Sequence, residues 1–155
     1  MVRRGLCTGR RRGQSMVEFV LVLPVFLTLI FGAICVLQIL LVQDTVAQAA
    51  RASAHQAALI GGGDGASGSL ATASGRVADA ARSVIDGAMA TDATKATISV
   101  VCRDQAGAVV SQCRRYYPIT VTIQYADSPW VIIPGLFSSV EARVSATRVA
   151  EQDLQ

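Results

Sequence analysis

Gly13-Gln14-Ser15-Met16-Val17-Glu18-Phe19 marks the change on which the rest of the chain turns. Ahead of it stand Arg3, Arg4, Arg10, Arg11 and Arg12, with no acidic residue among them. Behind it an uncharged apolar run extends from Phe19 to Val42, in which Thr28 and Gln38 are the polar members. At about 1.5 Å per residue its 24 positions form a helix of roughly 36 Å, against a hydrocarbon core of about 30 Å. The run is long enough to span a bilayer. The arginines lie on one side of it, and the next charges on the other side are only Asp44 and then Arg51. The basic end is therefore expected in the cytoplasm and the remainder outside.

Glu18 is out of place in a plain anchor, where Lys, Arg or Trp would be the ordinary flanking residue. A carboxylate at the mouth of an apolar helix needs a partner. If the chain were cut after Gly13, Gln14 would carry a free α-ammonium and Glu18 would be the fifth residue after the cut. In a bundle of such helices, the ammonium of one subunit can meet Glu18 of the next, each charge offsetting the other's desolvation.

From Arg11 through Gly13, Gln14, Glu18, Phe19, Leu23 and Pro24, the sequence resembles the opening of the TadE family, minor pseudopilins of tight-adherence (Flp) pilus systems. The resemblance rests on a small-residue processing site, a Glu five residues on followed by Phe, and a Leu-Pro pair inside the apolar run. It implies cleavage between Gly13 and Gln14 by a prepilin peptidase, with Glu18 and Phe19 used in processing or assembly recognition. It also implies other pilins or pseudopilins, Tad inner-membrane assembly proteins and the lipid bilayer as partners. The implied location is the bacterial inner membrane, crossed once, with the carboxy-terminal domain in the periplasm or carried into the pilus. Pro24, and Gln14 in place of an aromatic or Met, depart from ordinary type IV pilins and type II secretion pseudopilins.

Plainer membrane and export signals fit the same residues less well. An uncleaved signal anchor accounts for the apolar run and the arginines but leaves Gly13 and Glu18 as accidents. A cleavable secretory signal could end at Ala47-Gln48-Ala49, but its apolar region is usually about 7 to 15 residues and does not open on a carboxylate. A twin-arginine export signal expects an apolar pair where Gln14-Ser15 stands.

The organisation expected is a leader 1–13, a membrane helix 14–42 with the processing motif, and an extracytoplasmic α+β domain 43–155. The net charge is +3, but without residues 1–13 nine basic residues face eleven acidic ones, about −2. The basicity belongs to the leader and argues against a nucleic-acid partner; Arg114-Arg115-Tyr116-Tyr117 reads as a solvated loop. Cys7 falls in the leader and Cys35 in the membrane helix, where a thiol acts as a small apolar group. Cys102 and Cys113 flank a turn at Asp104-Gln105-Ala106-Gly107 and can close one disulfide in an oxidising compartment. The single histidine, His55, has no Cys or His companion, so no metal or other cofactor is expected.

Past Val42 the sequence Gln43 to Ile60 is alanine-rich and free of Gly and Pro, so the first helix should continue until Gly61-Gly62-Gly63. A second helix is expected from Ser69, or only after Gly75, with Leu70, Val77, Ala81, Val84 and Ala88 on its apolar face and Ile85 and Met89 beside it. Three antiparallel strands follow: Thr97 to Cys102, Ile119 to Tyr125 and Val140 to Thr147, each alternating apolar and polar. The expectation is a pilin-like α+β fold: a long helix, a second helix and a three-stranded sheet whose apolar face lies on both helices. The segment Ser128 to Phe137 is the most apolar outside the membrane run, and Pro129 and Pro134 keep it from being a central strand. It either fills the core beneath the sheet or forms a contact patch for a bilayer or a neighbouring subunit. No nucleophile elbow, phosphate loop or paired carboxylates occur, and no enzymatic activity is expected. Two function classes remain: a pilus-assembly component, or an uncleaved inner-membrane anchor holding a periplasmic binding or scaffold domain.

Overall fold

The computed structural model describes residues 14–110, 113–131 and 138–151. The leader with Gly13 and Cys7, and positions 132–137 of the apolar loop, lie outside the described residues.

A single helix, α1, runs unbroken from Gln14–Ile60, 47 residues or about 70 Å. Pro24 sits inside it. A proline removes one helical N–H and crowds the preceding turn, yet the helix continues through it. In the same stretch Thr28 turns its hydroxyl back onto the Pro24 carbonyl at 2.8 Å, which satisfies a polar group that lipid could not. The helix ends at the glycine run, where Gly61 takes φ 71 and Gly62 donates back to the Ala57 carbonyl.

Among the described residues the sheet has five strands, not three: β1 Gly68–Ser69, β2 Ala96–Arg103, β3 Val109–Val110, β4 Pro118–Asp127 and β5 Val140–Val149. All pairings are antiparallel, in the order β1-β2-β4-β5, with β3 also on β2. Because β4 covers one edge of β2 from Ala96 to Cys102, β1 and β3 share the other. The two added strands are two residues each, too short for any alternation to register in sequence. β2 and β3 are joined through the expected turn, in which Asp104 accepts from Ala108 N at its side chain and Gly107 takes φ 85.

Ile98, Cys102, Ile119, Val121, Ile123 and Tyr125 form the buried face of the sheet, and Val140 and Ala142 join it from β5. β4 and β5 lie across α1, and the second helix, α2 at Arg76–Asp86, packs along α1 beside them. The sheet therefore rests chiefly on α1. On α2 the buried residues are Val77, Ala78, Ala81 and Ile85, whereas Val84 is only half-buried and Met89 is 100% exposed. The helix starts after Gly75, so its apolar stripe centres on Ile85, and Leu70 reaches the same core from the end of β1.

Gly75 is required there by geometry. It takes φ 96, and a Cβ would come within 2.2 Å of the Asp64 carbonyl oxygen. Asp64 in turn accepts the first free N–H of α2, from Arg76, at 3.1 Å. Arg82 clamps the approach from the other side. It donates to the carbonyls of Leu70 at 2.8 Å and Ala73 at 2.7 Å, and pairs with Asp79.

Candidate functional site

The two ends of α1 obey opposite rules. From Met16 to Phe31 the large apolar side chains are uncovered; Met16 is 72% and Phe19 63% exposed. From Cys35 onward one face is sealed, through Gln38, Val42, Val46, Ala49, Ala50, Ser53, Ala54, Ala57 and Ala58. The steps of three and four residues are the helical repeat. Small residues dominate the sealed part, which lets the sheet and α2 approach the α1 backbone closely. Ser53 returns its hydroxyl to the Ala49 carbonyl, so even this buried polar group is satisfied.

Of the residues singled out by sequence, Gln14 opens α1, and Glu18 and Phe19 stand one turn further on, both exposed. Glu18 forms no salt bridge with any described residue. Pro24 lies within the uncovered half. Gly13, the other side of the expected cleavage point, is outside the described residues. Cys102 and Cys113 are joined by a disulfide in the head, with Cα atoms 5.8 Å apart, and are not part of this surface. Among the described residues α1 is the one helix long and apolar enough to cross a membrane.

The head does not begin where the apolar run ends. Its packing reaches down to Cys35, seven residues below Val42. At this level the loop after β4 touches α1: the Trp130 amide donates to Gln38 Oε1 at 2.8 Å, and the Cys35 thiol points at the Val131 carbonyl at 3.5 Å. Gln38, one of the two polar residues in the run, is thus turned inward; its Nε2 has no acceptor among the described residues. Sequence reading missed this contact. The signal was a buriable amide in an otherwise apolar helix, which needs a partner wherever lipid cannot supply one.

Just before Trp130 is a polar knot at the end of β4. Asp127 accepts from Lys95 Nζ, from Ser128 N at 2.6 Å and from Tyr125 Oη at 3.0 Å. Burial pushes the Asp127 carboxyl up, but these donors, Lys95 foremost, outweigh it and hold it below the usual carboxylate range. Burial, then the bond to Asp127, raises Tyr125 to about 12. Asp92 is held low by the Thr94 amide and hydroxyl as it caps the short turn Ala93–Lys95. Of these bonds, the one from Lys95 ties the short turn ahead of β2 to the end of β4. At the opposite end of the head, His55, Arg115, Tyr116, Arg148 and Glu151 line an open depression of about 610 Å³. His55 faces solvent from α1. No group of three or more His, Cys, Asp or Glu side chains suited to a metal occurs among the described residues.

Residues 13–55 match the model of the TadE family, described as TadE-like protein. The match covers the uncovered half of α1 and most of the sealed half, and stops before α2 and the sheet. No curated protein and no solved structure matches the chain. The resemblance carried by Gly13, Glu18, Phe19 and Pro24 is borne out over this segment, where the chain is similar to TadE-like proteins.

Proposed function

We propose that this protein is a minor pseudopilin that acts in the assembly of a tight-adherence pilus. In this reading, α1 crosses the inner membrane with the arginine-rich leader in the cytoplasm and the head in the periplasm. A prepilin peptidase removes residues 1–13, and the mature helix then joins other pilins or pseudopilins through its uncovered half. Catalysis is done to this protein and not by it. The long helix carrying a small α+β head is the arrangement that the resemblance implies for pilins.

The observation that carries the reading is the asymmetry of α1: about four turns of large apolar side chains lie exposed among the described residues, and a carboxylate stands at their start. Lipid covers the apolar part without difficulty. Its acyl chains offer Glu18 no partner, whereas the ammonium created at Gln14 of a neighbouring subunit offers both charge and hydrogen bonds. The oxidised pair Cys102–Cys113 fits a periplasmic head, since disulfides persist outside the reducing cytosol.

Two substitutions test the proposal in cells that make the pilus. Gly13→Arg is expected to leave the chain uncut and slightly larger on a gel; unchanged mobility places the cut elsewhere. Glu18→Ala is expected to insert normally while processing or incorporation into the pilus machinery fails. Normal piliation with that variant removes the carboxylate's role.

A further inference from the structure

We infer that the head is seated in the outer face of the bilayer, with Trp130 as its interfacial anchor. The inference requires α1 to cross a membrane, but neither cleavage nor a pilus.

On the side of α1 away from the head, exposed apolar residues continue through Val36, Leu37, Leu40 and Leu41 until Asp44, the first charge after Glu18. That uncovered face fixes how far lipid reaches along the helix. On the other side the head already covers the helix from Cys35. Head and lipid-facing surface therefore overlap along α1 for two turns or more. The Trp130 backbone amide is bound to Gln38, six residues short of Asp44, which places that amide about 9 Å nearer the membrane interior than that charge. The polar zone on each side of a bilayer is about 5 to 7 Å thick, so a group at this level lies where headgroups give way to acyl chains. Tryptophan prefers that depth, with an apolar ring and an N–H that wants a wet partner. Trp130 is 56% exposed on its own chain, too open for a core residue and apolar enough to be covered by lipid.

Three to five residues back along the chain from Trp130, Asp127 and Tyr125 form the polar knot with Lys95, and Pro129 and Val131 flank the ring in sequence. The Trp130 amide is a backbone donor set deep enough to need an acceptor that lipid cannot supply, and Gln38 removes that need. This also accounts for a glutamine in the apolar run.

Trp130 is the only tryptophan in the chain, so its fluorescence reports this position alone. The full chain is reconstituted at low protein-to-lipid ratio into phosphatidylcholine–phosphatidylglycerol vesicles, and flotation first establishes that it has inserted. Phosphatidylcholines brominated near the headgroup and near the chain end then serve as quenchers. The inference predicts blue-shifted emission, with shallow bromines quenching at least twofold more than deep ones. Water-like emission, open to acrylamide and untouched by either lipid, overturns it. So does blue-shifted emission that no brominated lipid quenches and that reverts on dilution into more lipid, since the ring is then covered by a second copy. A chain that does not float with the vesicles refutes the membrane span itself, a different failure. Gln38→Leu supplies the matching variant: its emission should move to the red by several nanometres while the far-ultraviolet circular dichroism is kept. Unchanged emission in that variant shows that the Gln38 bond does not hold Trp130 at this depth and overturns the inference.

Discussion

The two halves of α1 are written in different alphabets. Between Met16 and Phe31 it carries Val, Leu, Ile and Phe on all sides, and its own chain covers almost none of them. Between Ala49 and Ala58 it carries mostly alanine, and one face is wholly sealed. The half with more apolar surface is thus the half that does not belong to the core. Bulk suits a helix whose neighbours are lipid or other rods and can adjust. Smallness suits one whose neighbours are a fixed sheet and a fixed second helix, since interiors are packed densely enough for one methylene to be felt.

The comparison breaks first at the disulfide, if the head is a covalently stapled unit independent of the rod. Replacing Cys102 and Cys113 together by Ser should cost the head roughly 3 kcal/mol, as expected for opening a loop of about a dozen residues, with no change in partition into detergent or vesicles. Urea unfolding followed by circular dichroism measures the first, and flotation the second.

A paired substitution probes the helix directly. Ala54→Leu places three extra carbons into the sealed face and should destabilise the head by about 1 to 3 kcal/mol. Leu27→Ala removes the same three carbons from the uncovered half and should leave head stability within about 0.5 kcal/mol. Similar effects from the two changes mean that the halves are not separate in energy.

The smallest effect is that of pH, and it too should fall on the head. Asp127 has its carboxyl held below the ordinary value, so its contribution is complete above about pH 4 and is lost as pH falls through the depressed value. Tyr125, raised to about 12, contributes fully below its ordinary value of 10 and loses that contribution as pH rises from there towards 12. Melting temperature against pH should therefore show a plateau with a shoulder on each side, and Asp127→Asn should flatten the acid one. An acid shoulder that survives in Asp127→Asn assigns it to other carboxylates.

Much of this was legible in the sequence because it is written in period and composition. The apolar run, the continuation through Ala47 to Ala58, the turn at Asp104 to Gly107 and the alternation of β4 and β5 all express a local rule over many residues. What escaped depended on single contacts between distant positions. β1 and β3 exist because short segments come to rest against β2, not because Gly68-Ser69 or Val109-Val110 prefer a strand. The stripe of α2 shifted to Ile85 because Gly75, forced to φ 96 under the Asp64 carbonyl, sets where the helix begins. Arg82 is a clamp on two carbonyls, a role with no local signature. Gln38 read only as a polar member of the membrane run, and its partner 92 residues away had no local signature. Glu18 was the reverse case, conspicuous in sequence and without a salt bridge among the described residues.

Mass spectrometry of the intact amino-terminal peptide, taken from native cells, tests the assembly reading most directly. A peptide beginning at Gln14 is the result the account predicts, because only then does an ammonium exist to meet Glu18. A peptide that retains Met1 and the arginines contradicts it, and the uncovered half of α1 is then a membrane anchor and nothing more.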